Sequence, residues 1–248
     1  MKIYAKTDVG KVRQNNQDSF CCREFDRNCA YALVCDGMGG HQAGNIASSL
    51  ATRVIEKELQ DARDGFRNRN IEKLLASVII RANDSVFAAS IREESLKGMG
   101  TTAVLAMIVD DTLYVAHVGD SRAYGIDRDG KAVKLTKDHS VVQEMIDLGE
   151  ISEAQANDHP YKHMITRSVG ISPDVKVDTA TCPRSEFRYV LLCSDGLSNL
   201  VSSEEMSDIV TVDTENAPQA LVDLANSRGG TDNITAVIID CSDGGNDR

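Results

Sequence analysis

Tyr31-Ala-Leu-Val-Cys-Asp36-Gly37-Met38-Gly39-Gly40-His41 joins a strand-like run to a glycine-rich turn through a single acid. An unbroken apolar run stops at an acid, and three glycines follow within four residues. The run reads as a buried strand. A buried strand ending in Asp36 holds that carboxylate on a rigid support. Glycine carries no Cβ, so backbone can approach a ligand closely here. From His41 the sequence turns helical in character.

The device recurs. Leu113-Tyr-Val-Ala-His-Val-Gly119-Asp120 and Tyr189-Val-Leu-Leu-Cys-Ser194-Asp195-Gly196 are strand patterns ending in acids, and Asp232 precedes the apolar run that starts at Ile234. In antiparallel sheets the start of one strand lies beside the end of its neighbour, so the four acids are expected at one rim of a sheet. Carboxylates that close repel and raise each other's pKa. A hard divalent cation with oxygen ligands, Mg²⁺ or Mn²⁺, removes the conflict. One Asp-Gly alone is more often a plain turn. Four acids, each against an apolar strand, favour the metal-binding reading.

Composition narrows the rest. The 248 residues carry a formal charge of −11, with 42% hydrophobic and 4% aromatic content and no Trp. Val, Ile, Leu and Ala must therefore fill the core. A basic footprint for nucleic acid is missing, as is a polybasic membrane patch, so neither partner is expected. No stretch reads as a transmembrane helix and the N-terminus has no signal-peptide apolar region. Seven cysteines, an odd number without a Cys-x-x-Cys pair, argue for reduced thiols and a cytoplasmic location.

Strands are expected over 2–8, 19–22, 30–35, 103–109, 112–118, 121–126, 188–194 and 234–240. Amphipathic helices are expected over 45–58, 71–91, 203–212 and 217–227, with a short helix over 140–148. Residues 172–182 read as polar and extended. No linker divides two cores, so residues 1–241 are read as a single domain. Residues 140–167 form a polar flap beside the sheet, and 242–248 a frayed tail. Strand groups and helix groups come in separate runs. That is α+β, with two antiparallel sheets packed together and helix pairs outside.

Eight motifs then occur in order: Arg13-x-x-Asn-x-Asp18, Asp36-Gly-Met-Gly-Gly40, Gly98-x-Gly-Thr-Thr102, Val118-Gly-Asp-Ser-Arg122, Leu135-Thr-x-Asp-His139, Thr166-Arg-x-x-Gly170, Ser194-Asp-Gly196 and Gly230-Thr-Asp-Asn233. The ordered set resembles the metal-dependent (PPM, type 2C) serine/threonine protein phosphatases in their compact bacterial form. The resemblance implies an αββα sandwich with a metal centre between the rims of its sheets. It implies two Mn²⁺ or Mg²⁺ ions, Asp36 bridging both, the Gly37 carbonyl on the first, and Asp195 and Asp232 on the second. Asp18 resembles an outer-shell acid, Asp120 with Asp195 a weaker third-metal site, and Arg13 the grip on substrate phosphate. A water bridging the ions would attack the phosphoester. Phosphorylated proteins would be the substrates and a Ser/Thr kinase the opposing enzyme; a monomer is expected. Met38 stands where animal members carry His, so that motif does not identify the general acid. The alternatives of the same fold are a catalytically inactive phosphoprotein-binding module and a stress-pathway phosphatase acting on an anti-sigma-factor antagonist.

Three histidines are proton-donor candidates. His41 would serve as a helix cap, His139 would bond backbone, and His163, in the flap, would face substrate. His159 and His163 are four apart, but Pro160 between them argues against a shared helical face. Arg13 lies in a polar loop, and its planar fork suits two phosphate oxygens. Cysteine chemistry competes, since Cys-x5-Arg occurs at Cys21–Arg27 and Cys182–Arg188. Acids within both loops, Glu24 and Asp26 in one and Glu186 in the other, would repel phosphate and raise a thiol pKa. Cys21→Ser and Cys182→Ser are therefore expected to keep near-normal kcat in Mn²⁺ buffer. A folded variant losing about 100-fold, the scale of general catalysis by one group, would make that cysteine the nucleophile.

Overall fold

The computed structural model describes residues 1–39, 43–157 and 159–242. The chain opens with β1 (Lys2–Asp8), β2 (Asp18–Asp26) and β3 (Cys29–Met38), then two long helices, α1 (Ala43–Ala62) and α2 (Ile71–Arg92). The short β4 (Gly100–Thr101) precedes β5 (Ala103–Val109), β6 (Thr112–Val118), β7 (Arg122–Ile126) and β8 (Ala132–Lys134). Two short helices, α3 (Val141–Asp147) and α4 (Glu153–Asn157), lead to β9 (Asp178–Pro183) and β10 (Tyr189–Cys193). Helices α5 (Asp195–Ser198), α6 (Ser203–Val212) and α7 (Ala217–Ser227) come before β11 (Ile234–Asp240).

Every strand pairing among the described residues is antiparallel. One sheet runs β1-β11-β10-β7-β8 and the other β2-β3-β5-β6-β9, with β4 on the end of β3. Period two explains why the central strands lack polar alternation. Leu33 faces the cluster formed with α1 and α2, beside Ile55, Leu59, Leu75 and Ile79. Its neighbour Val34 faces the other sheet, in a cluster with Val104, Leu192 and Val237. Leu191 turns the opposite way to Leu192, onto Met206, Val210 and Leu221 of α6 and α7. Both faces of each sheet are thus buried, in four layers: helices, sheet, sheet, helices. This is the expected αββα sandwich.

Several elements differ from their expected bounds. β2 is longer than 19–22 because it pairs with β3 from Asp18↔Asp36 to Asp26↔Cys29. The polar hairpin residues earn their strand geometry from that ladder and not from side-chain burial. α1 extends past 45–58 at both ends, β7 begins at Arg122, and of the extended stretch 172–182 only the part from Asp178 is strand, running one residue beyond it to Pro183. β8 was not legible: its three residues pair with β7 as a half-exposed edge. By length and composition α2 is apolar enough to cross a membrane, contrary to the expectation that no stretch is. Its buried stripe of Leu75, Val78, Ile79, Ala82 and Val86 makes it the inner partner of α1, so it reads as a core helix. His41 and residues 243–248 lie outside the described residues, so the helix-cap and frayed-tail expectations are not addressed.

All seven cysteines are free thiols. Cys29, Cys35, Cys193 and Cys241 are buried, and act as small apolar side chains in strands or beside them. Cys21 and Cys182 are half-buried, and burial raises both thiols above their ordinary value.

Candidate metal centre

The acids converge, but not at the rim of one sheet as the strand ends alone suggested. Asp18 and Asp36 face each other across the β2–β3 pair of one sheet. Asp195 follows β10 and Asp232 precedes β11, neighbouring strands of the other sheet. Asp120 lies in the turn from β6 to β7, where the chain crosses between sheets. Packing of the two sheets brings the rims together.

The end of β3 is held by hydroxyls. The Asp36 amide donates to Thr102 Oγ1 at 2.9 Å, and its carbonyl accepts from the Thr102 amide at 2.8 Å and Thr101 Oγ1 at 2.9 Å. Its side chain is thereby aimed without using its carboxylate. Gly37 must be glycine: a Cβ there would sit 2.1 Å from the Gly44 carbonyl oxygen and 2.6 Å from that of Gln17. The first turn of α1 thus lies directly against Gly37.

Asp18 is buried, and its Oδ2 accepts from Ser194 Oγ at 2.7 Å and Thr235 Oγ1 at 2.6 Å. Its Oδ1 is buried without a hydrogen-bond partner. An unmet buried acceptor costs about 1–3 kcal/mol, more when charged, so a carboxylate so placed signals a further interaction.

The acids affect one another strongly. Burial, then Asp18, Asp195, Asp120 and Asp232, lift Asp36 well above the usual carboxylate range. Burial pushes Asp18 up to about 7 even though Thr235 and Ser194 pull it down. Burial and then Asp195 and Asp138 push Asp120 to about 7. Asp195 is raised by burial and Asp232, while its hydrogen bond with Asp36 and the nearby His163 lower it. His163 is exposed, within electrostatic reach of Asp195, on the segment after α4.

Arg13 reaches the same rim. Its Nη2 donates to Asp232 Oδ2 at 2.8 Å, and about half of its side chain is exposed. The loop that carries it is fastened by Asn233. Asn233 Nδ2 donates to the carbonyls of Val9 (2.9 Å) and Asn15 (3.0 Å), and Oδ1 accepts from the Gln17 amide at 2.8 Å. Gly10, at φ 79°, packs its backbone on the Asp232 carbonyl, where a Cβ would lie at 2.2 Å. Asn233, Ser194, Thr235, Thr101 and Thr102 were assigned no role from sequence. For Ser194, Asn233 and Thr235 the available signal is a small polar residue within three positions of a strand-end acid; Thr101 and Thr102, far from Asp36 in the chain, carry no such signal.

Among the described residues, no three His, Cys, Asp or Glu side chains draw tightly enough around one point to hold an ion as placed. Mutual repulsion acts to spread them. The donor set still fits hard divalent cations: it is all oxygen, burial and neighbouring acids disfavour the charge of Asp18, Asp36, Asp120 and Asp195 so that a cation would relieve them, and Asp18 Oδ1 is left unpaired.

A family model described as Protein phosphatase 2C matches residues 10–224. The chain is 37% identical over 237 residues to a serine/threonine phosphatase stp of Listeria welshimeri serovar 6b, covering 95% of this chain and 94% of that protein. It superposes on a crystal structure of a bacterial serine phosphatase with a TM-score of 0.91 at 30% identity, covering 99% of this chain and 100% of the other. It is also similar to the catalytic domain of the protein phosphatase PstP in complex with two manganese ions, with a TM-score of 0.81, 31% identity and 96% of each chain covered.

The raised carboxyls predict an unusual pH dependence. A carboxyl bound more tightly to its proton in the folded state stabilises fully below its unfolded pKa, and that contribution is lost as pH rises through the folded value. For Asp18 and Asp120 that window runs from about 4 to about 7, so the chelated protein should lose stability across it. Asp120→Asn should flatten the slope, and saturating Mn²⁺ should raise Tm more at pH 7.5 than at pH 5.5. Thermal denaturation of both proteins checks this; equal slopes would show that Asp120 is not perturbed.

Proposed function

We propose, from the premise that this chain belongs to the protein phosphatase 2C family, that it hydrolyses phosphoserine and phosphothreonine in proteins at the five-acid rim. It is an enzyme, a serine/threonine protein phosphatase. The observation that carries the siting is the set of buried and half-buried carboxylates brought together from both sheets, with one arginine beside them.

Asp36, the Gly37 carbonyl, Asp195 and Asp232 would hold two divalent cations, Mn²⁺ or Mg²⁺, and Asp120 with Asp195 a weaker third. When bound, such ions neutralise phosphoryl oxygens and acidify the attacking water. The remaining chemistry falls to the chain. Arg13 grips the phosphate: its guanidinium is already at the rim, and its exposed half offers a planar fork to two oxygens. Asp18 orients the attacking water through Oδ1, because Ser194 and Thr235 fix its other oxygen. Water attacks phosphorus, the bond from phosphorus to the serine or threonine oxygen breaks, and that oxygen takes a proton. His163, exposed near Asp195, is the candidate donor.

Residues 140–167 act as the flap that selects among phosphoproteins, and a Ser/Thr kinase supplies those substrates. Residues 1–241 work as one domain, as a cytoplasmic monomer. The inactive-module and stress-pathway readings have no observation in their favour.

Two experiments test this reading. Hydrolysis of an aryl phosphate and of a phosphothreonine peptide should vanish with chelator and return with Mn²⁺ or Mg²⁺; full activity in metal-free protein would sink it. Arg13→Ala should raise KM for the aryl phosphate while Mn²⁺ affinity, followed by calorimetry, stays near that of the parent. An unchanged KM would make Arg13 an ordinary surface residue.

A further inference from the structure

Gly119 immediately precedes Asp120 and takes φ 105°, a backbone conformation that any side chain would strain. Both of its backbone polar groups go to a single residue. The His139 amide donates to the Gly119 carbonyl at 3.0 Å, and the Gly119 amide donates to His139 Nδ1 at 3.0 Å. A backbone N–H can only donate, so Nδ1 must be the unprotonated ring nitrogen and the proton must sit on Nε2. Nε2 lies 3.1 Å from Asp178 Oδ2, which can only accept from it. Arg167 Nη1, also a donor, lies 2.9 Å from the same nitrogen, but its two protons have other acceptors in Asp178 Oδ1 at 2.9 Å and the Lys176 carbonyl at 3.2 Å. The partly exposed guanidinium can shift onto those, whereas the Gly119 amide is fixed in the backbone and has no other partner, so the amide decides the tautomer. The opposite tautomer, or an imidazolium, would place two N–H groups against each other at Gly119.

His139 is buried, stacks on His117 with ring centroids 4.7 Å apart, and is pushed down to about 4 by burial, so it stays neutral at ordinary pH. Its own carbonyl accepts from the Thr166 amide at 2.8 Å, and next to it Ser140 bridges Ile165. One residue therefore joins the turn bearing Asp120, the root of the 140–167 segment and, through Asp178, the start of β9.

We propose that His139 is a positioning residue for Asp120: held as the Nε2–H tautomer by Asp178, its Nδ1 fixes the Gly119 amide and so aims the Asp120 carboxylate at the metal centre. This rests on the reading of Asp120 as a ligand of the weaker third ion. The metal is reached only through the turn, since His139 touches Gly119 and not the carboxylate.

The geometry supplies a matched pair of variants. His139→Asn keeps an acceptor at the δ position, for Gly119, but loses the reach to Asp178. His139→Gln keeps a donor at the ε position, for Asp178, but loses the acceptor for Gly119. The two delete similar volumes, so a merely structural role would affect them alike. Mn²⁺ binding to the full chain is measured by titration calorimetry, with Asp120→Asn as the reference lacking the weak site. His139→Gln should weaken the weakest step by about 10–100-fold, the scale seen when a residue supporting a ligand is removed, and His139→Asn by less than about tenfold. Equal effects of the two, or parent-like binding in His139→Gln, would overturn the proposal. The unmutated protein gives a second check that needs no variant to fold: ¹⁵N NMR should show His139 Nδ1 without a proton, and a protonated Nδ1 would overturn it. A parent that binds two ions and no third, yet hydrolyses phosphothreonine, would overturn the proposal and leave the phosphatase reading standing. A parent without metal-dependent hydrolysis would sink that reading instead.

Discussion

Repulsion among carboxylates crowded at one partly buried rim is the constraint around which the rest of this structure is arranged. Asp18, Asp36, Asp120, Asp195 and Asp232 each lie within electrostatic reach of other members of the set. Burial works against the charge of every one whose affinity for protons is raised. Nothing about folding favours such a cluster; an apolar junction of the same volume would cost less. The protein nonetheless holds it in place with hydroxyls and backbone groups. Thr101 and Thr102 fix the end of β3, Ser194 and Thr235 fix one oxygen of Asp18, and His139 fixes the turn before Asp120. These supports use no positive charge, so they orient the acids without quenching them. Arg13 and Asp232 form the exception, and that pair is exposed enough for its contact to be exchanged.

The sandwich is what makes such an arrangement tolerable. Each central strand buries side chains on both faces, so the rims are stiff where the acids emerge. A one-residue slip of β3 against β2 would separate Asp36 from Asp18 and turn Leu33 away from the helices. Core packing and site geometry therefore enforce the same register. The flanking helix pairs also act on the site: the first turn of α1 lies against Gly37, and α5 begins with Asp195 itself.

Much of this was legible in residue order, for identifiable reasons. An apolar run bounded by an acid marks a strand terminus without knowledge of the fold, at the end of the run for Asp36, Asp120 and Asp195 and before its start for Asp232. The bounds of α6, α7 and β11 matched because a proline, a capping serine and an abrupt polarity change mark them locally. The polar end of β2 and the three residues of β8 gave no such mark. They are strands because a partner ladder exists, and a ladder between distant segments has no local signature.

Residue order alone therefore supplies the inventory: which acids adjoin strands, the two long helices after β3 and the two before β11, that the cysteines are apolar filler, and which family the ordered motifs resemble; the short α4 and α5 are not in it. The arrangement comes from the packing of the layers. It split the acids between two sheets, turned Arg13 toward Asp232, made Asn233 the anchor of the loop that carries Arg13, and left Asp18 Oδ1 without a partner. It also chose the tautomer of His139, because the amide that faces Nδ1 belongs to a residue 20 positions away. The physical reason is the same in each case. Strand character follows from the side chains of neighbouring residues. Hydrogen-bond partnership and electrostatic coupling depend on distance in space, which for segments far apart in the chain is set by how the layers pack.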